Sequence, residues 1–121
     1  MISVLVVDDA AFMRLAIKNV LTKNGFTVIA DAKNGQEGVE KYKEFHPDVV
    51  TMDITMPDMT GIEALKLIRE YDPAAKVVMI SAMGQESMVK EAILSGAKSF
   101  IVKPYKEEHI TQTPLKVASK G

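Results

Sequence analysis

The hydrophobic positions of the chain fall into five short runs, each typical of a β-strand. The runs cover residues 2–7, 26–30, 49–53, 76–81 and 99–102. The first is almost continuously apolar, which is typical of a strand covered on both faces, as in parallel sheets. The pattern therefore favours a buried parallel sheet.

Apolar residues at helical spacing follow each of these runs and predict helices between the strands. Turn and stop signals separate the segments at Asn24-Gly25, Asn34-Gly35, His46-Pro47 and Asp72-Pro73. Asn34 is a predicted N-cap. Five alternating strands and helices predict an α/β fold, a doubly wound parallel sheet with helices on both faces. At 121 residues, we expect a single domain over 1–121.

The last predicted helix, from about Lys106, contains a proline at position 114. Proline removes a backbone donor and clashes with the preceding turn, which costs about 3 kcal/mol in a helix interior. We therefore expect a kink or an early end at Pro114. Residues after about Thr113 should be poorly ordered or packed differently from a regular helix.

Composition excludes several classes of function. The 15 basic residues form no dense run and the net charge is -1, so we expect no nucleic-acid and no membrane partner. Without cysteine, disulfides, thiol catalysis and cysteine zinc sites are excluded. The apolar run at residues 2–7 is too short for a signal sequence or a membrane span. The expectation is a soluble cytoplasmic protein.

Charged or reactive side chains end several of the predicted strands. They are Asp8 and Asp9, Asp53, Ser81 and Lys103. Because parallel strands point the same way, these groups should emerge at one edge of the sheet. If the first and third strands are neighbours, the three carboxylates meet there and repel one another.

A hard divalent cation would relieve this repulsion, and oxygen ligands without His or Cys suit Mg²⁺ or Mn²⁺. The cation, the Lys103 ammonium and the Ser81 hydroxyl would together form a pocket for a phosphoryl group. An aspartate can act as the nucleophile and form an acyl phosphate. Asp53, at the end of the third strand, is the candidate.

Simpler interpretations exist for each residue. Asp8 and Asp9 could cap a helix, Asp53 could be a solvated turn residue before Pro57, and Lys103 alone could be a surface lysine. The two histidines, His46 and His109, are expected to be solvated and have no assigned role.

Several segments at these strand ends resemble the receiver domain of two-component response regulators, over residues 2 to about 108. The resemblance implies the strand order 2-1-3-4-5. Within that family, the chain is similar to single-domain chemotaxis receivers of the CheY type. The family likeness rests on Val6-Val7-Asp8-Asp9, Met52 to Pro57, Ser81-Ala82 and Val102-Lys103-Pro104. The likeness to the chemotaxis type rests on Asp8 to Arg14, Thr51 to Pro57 and Ser81 to Gln85.

The resemblance implies a role for each residue of the predicted edge. Asp53 would accept the phosphoryl group and Lys103 would pair with its oxygens. Asp9 would bind Mg²⁺ directly and Asp8 mostly through a water, and the Thr55 backbone carbonyl would be a further metal ligand.

The same resemblance implies a switch around this site. Ser81 would bond a phosphoryl oxygen and move on activation, and Phe100 would turn inward behind it. Thr55 and Met83 would tune dephosphorylation by controlling the approach of water. The Lys103-Pro104 peptide bond would be cis.

These roles predict a signalling protein and not an enzyme, with only the capacity to dephosphorylate itself. Phosphorylation would change the surface formed by the fourth helix, the fifth strand and the fifth helix. The implied partners are a CheA-like histidine kinase, a flagellar motor switch protein and a phosphatase that acts on the phosphorylated regulator. The protein would be a monomer.

Alternative functions remain open from the sequence. One is a phosphorelay receiver outside chemotaxis, and another is a receiver that binds partners without phosphorylation. A phosphatase of the haloacid-dehalogenase type would need a second aspartate where Thr55 stands. A flavodoxin-like cofactor site would place a phosphate against Asp8-Asp9-Ala10-Ala11, where two carboxylates would repel it.

Overall fold

The computed structural model of the protein describes residues 1–119. Within this range the chain forms one five-stranded parallel sheet of order β2-β1-β3-β4-β5. The predicted strands and their order are confirmed, and the bounds differ by at most two residues. The strands are β1 (Ser3–Val7), β2 (Thr27–Ala32), β3 (Val49–Asp53), β4 (Val77–Ser81) and β5 (Ser99–Val102).

A helix follows each strand, and the helices cover both faces of the sheet. One face packs against α1 and α5 and the other against α2, α3 and α4, which confirms the doubly wound architecture. The helices are α1 (Ala11–Lys23), α2 (Gly35–Phe45), α3 (Gly61–Tyr71), α4 (Glu86–Leu94) and α5 (Glu107–Ser119).

The alternation of side chains along β1 explains why its sequence is apolar throughout. Val4 and Val6 join the core beneath α1 and α5, whereas Leu5 and Val7 join the core on the opposite face. All four are essentially inaccessible to solvent. β1 is therefore covered on both faces, and its charged residues come only after it ends.

Two helix starts follow rules that can be recognised in the sequence. The Asn34 side chain accepts a hydrogen bond from the Glu37 backbone N–H at 2.8 Å, which confirms the predicted N-cap. Thr60 and Glu63 form a reciprocal capping box at the start of α3. This capping box fixes where α3 begins after the loop that follows β3.

The early end expected at Pro114 is wrong, because α5 continues through Pro114 as one element to Ser119. A kink at this proline stays a prediction. Ile110, Pro114 and Val117 lie four and three residues apart and are all buried. Ile110 and Val117 belong to the core beneath the sheet. Tertiary burial of this stripe outweighs the unfavourable local propensity of the proline.

None of the helices within residues 1–119 is long and apolar enough to span a membrane.

Candidate functional site

Asp53 is the last residue of β3, and its neighbours in the sheet determine what surrounds it. In the register, Met52 lies opposite Val7 of β1 and Asp53 lies opposite Ile80 of β4. Asp8 and Asp9 therefore leave the sheet beside Asp53. The three residues can place carboxylate oxygens within 4.8 Å of one another. The structure thus brings together the acidic residues that the sequence predicted to meet.

Lys103, just after β5, lies against this acidic group. Its Nζ is 3.6 Å from Asp53 Oδ1 and 3.8 Å from Asp8 Oδ2. Its backbone N–H donates to the Ser81 carbonyl at 2.8 Å, which ties the loop to the end of β4. The Lys103-Pro104 peptide bond is cis. One ammonium group is thus shared between two carboxylates.

Burial and charge raise the pKa of Asp53 to about 6. The largest cause is burial, since only 7% of the residue is exposed. The Lys103 ammonium lowers this pKa, while the neighbouring Asp8 and Asp9 carboxylates raise it. The single lysine therefore does not compensate for burying the negative charge.

The donor set fits a hard divalent cation. Asp8 is 1% exposed, and its Oδ2 is buried without a hydrogen-bond partner among residues 1–119. Asp9 is exposed, so one side of the cluster is open to solvent. Carboxylate oxygens with an open side suit Mg²⁺, which retains several waters when it binds to proteins. A cation here would add a ligand bond to the ion pair that this buried Asp8 oxygen makes with Lys103.

The alternative that Asp8 and Asp9 merely cap a helix does not account for this geometry. The N-cap of α1 is Ala10, and it makes no side-chain capping bond. Asp8 Oδ1 instead accepts the Ala10 N–H at 2.9 Å within the loop, so its other oxygen still faces the cluster.

Ser81 and Phe100 lie on the side of the site nearest β5. Ser81 is 1% exposed, and its Oγ is buried with no hydrogen-bond partner in the described part of the chain. Phe100 is 46% exposed, so its ring lies outward. A groove of about 200 Å³ is lined by Ser81, Met83, Val89 and Phe100, among others. The serine hydroxyl is available to a new acceptor, and the groove leaves space beside the ring.

Thr55 and Met83, predicted to control the approach of water, lie on the two loops beside Asp53. Met83 is 74% exposed, and Thr55 is also exposed. Thr55 Oγ1 accepts a hydrogen bond from Gln85 Nε2 at 2.8 Å. This contact could not be read from the sequence, because the two residues lie 30 positions apart.

Gly61 is a positioning residue that the sequence analysis missed. A Cβ at this position would lie 2.0 Å from the Asp53 carbonyl oxygen. The Gly61 N–H also donates to the Ile54 carbonyl at 2.7 Å. The start of α3 therefore packs directly on the backbone that carries Asp53. A glycine at the first position of a helix was the available signal.

Arg14 was noted only as part of a motif, and the structure gives it a specific contact. Its Nη1 donates to the Asp8 carbonyl at 2.8 Å, and its Nε pairs with Asp31 Oδ2 at 3.2 Å. The guanidinium group therefore holds the peptide unit that joins Asp8 to Asp9. Asp31 lies 17 residues away on β2, so no local pattern predicts this pair.

Comparisons with known proteins agree with this geometry. Residues 4–114 match the family described as the response regulator receiver domain. The chain belongs to this family. Among its relatives, the chemotaxis protein CheY of Bacillus subtilis is 60% identical over 109 residues, which are 90% of this chain and 91% of the relative. The chemotaxis protein CheY of Thermotoga maritima is 56% identical over 115 residues, 95% of this chain and 96% of the relative.

A solved structure extends the likeness to the fold. It is the CheX-CheY-BeF3-Mg complex from Borrelia burgdorferi, with a TM-score of 0.93 and 44% sequence identity. The match covers 98% of this chain and 90% of the other. The CheY-like receiver fold is thus shared along almost the whole chain.

Proposed function

We propose that this chain is a phosphorylation-activated response regulator of two-component signalling that controls chemotaxis and flagellar rotation. The observation that carries the proposal is the placement of Asp53. Its carboxylate is buried at the end of β3, flanked by two other carboxylates and one lysine. The curated relatives named CheY support the chemotaxis assignment.

Asp53 is the nucleophile for a phosphoryl group carried by a histidine kinase. A carboxylate oxygen of Asp53 forms a bond to phosphorus while the P–N bond to the kinase histidine breaks. The electron pair returns to the imidazole, which takes up a proton. Lys103 stabilises the charge on the phosphoryl oxygens, since positioning and charge neutralisation provide most of the catalysis in such transfers.

Asp8, Asp9, Asp53 and the Thr55 backbone carbonyl would hold Mg²⁺, with Mn²⁺ as a substitute. The bound cation supplies positive charge next to the phosphoryl oxygens. The buried Asp8 oxygen, which accepts no hydrogen bond within residues 1–119, and the mutual approach of three carboxylates support this ligand set.

Ser81 and Phe100 report the phosphoryl group to the surface. The free Ser81 hydroxyl bonds a phosphoryl oxygen and moves toward Asp53. The Phe100 ring then turns into the groove that the two residues share. The surface formed by α4, β5 and α5 changes as a result.

The partners follow from this output surface and from the relatives. We assign a CheA-like kinase as donor, a flagellar motor switch protein as target, and a phosphatase that acts on the phosphorylated protein. The solved complex of a related CheY with CheX supports the assignment of a partner protein to this chain. The chain acts as one receiver domain over 1–121, as a monomer in the cytoplasm.

Dephosphorylation is the only hydrolytic reaction we assign to the chain, and it is slow self-hydrolysis. Thr55 and Met83 lie on the loops between which water must approach Asp53. The apolar Met83 side chain offers no acid or base to activate that water.

Phosphoryl uptake tests the proposal. The purified protein is incubated with acetyl phosphate with and without Mg²⁺, and its intact mass is measured. The wild type should gain one phosphoryl group in a Mg²⁺-dependent manner, and Asp53→Ala should gain none. Asp58→Asn, which changes an exposed aspartate on the same loop, is the matched control and should be labelled like the wild type. An unlabelled wild type, or full labelling of Asp53→Ala, would contradict the proposal.

A further inference from the structure

The side chain of Gln85 joins the two loops that flank Asp53. Its Oε1 accepts the Ala82 N–H at 2.6 Å, and its Nε2 donates to Thr55 Oγ1 at 2.8 Å. Ala82 directly follows Ser81, and Thr55 lies two residues after Asp53. One side chain therefore connects the loop after β3 to the loop after β4.

The orientation of this amide is fixed by its partners. Only the amide oxygen can accept from a backbone N–H, so the nitrogen must face Thr55. The Thr55 hydroxyl acts as the acceptor in that bond and retains its own proton. The rotamer of Thr55 is thus set by a residue on another loop.

Gln85 does not cap its own helix, although its Nε2 also lies 3.8 Å from Met88 Sδ on α4. It is the N-cap residue of α4, yet its side chain makes no capping bond. The preceding Gly84 has a φ of +85°, which turns the chain so that the side chain points back to the two loops. The bridge is therefore not explained by helix capping.

We propose that Gln85 is a positioning residue that lengthens the lifetime of the phosphoryl group on Asp53 by holding Thr55, a role that rests on the proposed function. The bridge spans the gap between the two loops beside the buried carboxylate. Met83 is mostly exposed and leaves this side of the site open. Thr55 and Gln85 together restrict the approach of water there.

The reaction that this bridge slows is hydrolysis of the acyl phosphate. The water oxygen forms a bond to phosphorus, and the bond from phosphorus to the Asp53 oxygen breaks. The electron pair returns to the carboxylate, and the water proton passes to solvent. Without the bridge, Thr55 can rotate and the loop after β4 is released, so water reaches the phosphorus more often.

A double-mutant cycle tests whether Gln85 acts through Thr55. Gln85→Met keeps the length of the side chain and removes both hydrogen bonds, and Thr55→Val removes the partner hydroxyl. The proteins are phosphorylated with acetyl phosphate, the donor is removed, and loss of the label is followed by intact mass. Gln36→Ala, which alters a glutamine whose side chain bonds Glu40 on the same helix, α2, is the control.

We expect Gln85→Met to lose the label about three- to tenfold faster than the wild type, the range given by one net hydrogen bond. In the Thr55→Val background, Gln85→Met should add no further acceleration, and Gln36→Ala should match the wild type. Equal rates for Gln85→Met and wild type would overturn the role. Fully additive effects of the two substitutions would overturn it as well.

Amide hydrogen exchange gives a second readout that does not need phosphorylation. In the unphosphorylated protein, Gln85→Met should speed exchange of the Ala82 N–H, and Gln36→Ala should leave it unchanged. Unchanged exchange in Gln85→Met would contradict the bridge itself. If the wild type takes up no phosphoryl group, the proposed function fails and the role of Gln85 fails with it. If the wild type is phosphorylated but the lifetime of its phosphoryl group does not depend on Gln85, only the role of Gln85 fails.

Discussion

Two polar clusters lie at opposite ends of the strands. They differ in how completely their polar groups are paired with hydrogen-bond partners. The acceptor cluster is formed by Asp8, Asp9, Asp53 and Lys103 at the carboxyl ends of the strands. The tyrosine cluster is formed by Tyr42, His46, Tyr71 and Asp72, where α2 and α3 end and β3 and β4 are about to begin.

In the tyrosine cluster every assigned contact pairs a donor with an acceptor. The Tyr42 O–H donates to Asp72 Oδ2 at 2.7 Å, and His46 Nε2 lies 2.8 Å from the Tyr71 hydroxyl, against which its ring stacks. The Tyr42 hydrogen bond, followed by that from the Ala74 N–H, lowers the pKa of Asp72. Burial and the neighbouring carboxylate raise the pKa of Tyr42.

In the acceptor cluster the balance is reversed, because burial raises the pKa of Asp53 and an Asp8 oxygen has no hydrogen-bond partner. The tyrosine cluster therefore stabilises the fold, whereas the acceptor cluster retains an unfavourable charge that a cation and a phosphoryl group would relieve. A polar group that lacks partners within the protein indicates the functional site better than the mere presence of polar groups does.

The largest expected effect comes from a substitution that disturbs the packing of α3 on the backbone of Asp53. Gly61→Ala would place a Cβ 2.0 Å from the Asp53 carbonyl, so the loop must shift. We expect a loss of about 3 kcal/mol in unfolding free energy, measured by urea denaturation, and loss of phosphoryl uptake. Gly25→Ala has no atom within 4 Å of the new Cβ and should lose only about 1 kcal/mol, from its positive φ. Similar losses in both variants would contradict the close packing at Gly61.

Asp53→Asn should stabilise the protein while abolishing phosphoryl uptake. The folded-state pKa is about 6 and the unfolded value is 3.8, so the unfavourable contribution of the carboxylate grows as the pH rises between these values. After allowance for solvent screening, we expect about 1–2 kcal/mol of stabilisation at pH 7 without Mg²⁺. The gain should disappear below about pH 4. Destabilisation of this variant at pH 7 would show that the cluster is satisfied without a metal.

Tyr42→Phe should have the opposite sign, because it removes a hydrogen bond that is well satisfied. We expect a loss of about 1 kcal/mol at pH 7 by urea denaturation. Since the pKa of Asp72 is lowered in the folded state, the stability it contributes is present above its ordinary value of 3.8 and is lost as the pH falls through the folded-state pKa. The difference between variant and wild type should therefore shrink in acid. A difference that stays constant with pH would exclude the carboxylate as the partner.

The smallest expected effect concerns two non-glycine residues with positive φ. One lies on the loop after β3, near the acceptor cluster, and the other belongs to the tyrosine cluster. Asp58 has a φ of 67° and His46 a φ of 46°. Asp58→Gly should stabilise the protein by about 0.5 kcal/mol, because glycine adopts this conformation freely. His46→Gly should give no gain, since it also loses the Tyr71 contact. Equal stabilisation of both variants would mean that the tyrosine cluster contributes nothing through His46.

The fold could be predicted largely from local patterns, and the strand order from the resemblance. β3 and β5 have the predicted bounds, because their apolar runs end at a charged residue or a turn. The early end predicted at Pro114 is wrong because local propensity does not show that Ile110, Pro114 and Val117 are buried. Tertiary packing decides such cases, and the sequence does not show which face of a helix will meet the sheet.

The acidic residues and Lys103 could be located from the sequence because each lies at the end of a strand or within two residues after it. The residues that support them could not. Gly61 acts through contact with a backbone carbonyl, Arg14 through a partner on β2, and Gln85 through a hydroxyl 30 residues away. Such contacts depend on loop conformation, which has no periodic pattern in the sequence.

We infer that the Asp53 carboxylate is buried at an energetic cost which a cation relieves. The most direct test is a ¹³C NMR titration of this carboxyl group, without metal and at saturating Mg²⁺. We predict a pKa of about 6 without metal and, because an adjacent cation favours the ionised form, a markedly lower pKa with Mg²⁺. An ordinary aspartate pKa without metal, or a titration that Mg²⁺ leaves unchanged, would contradict the account.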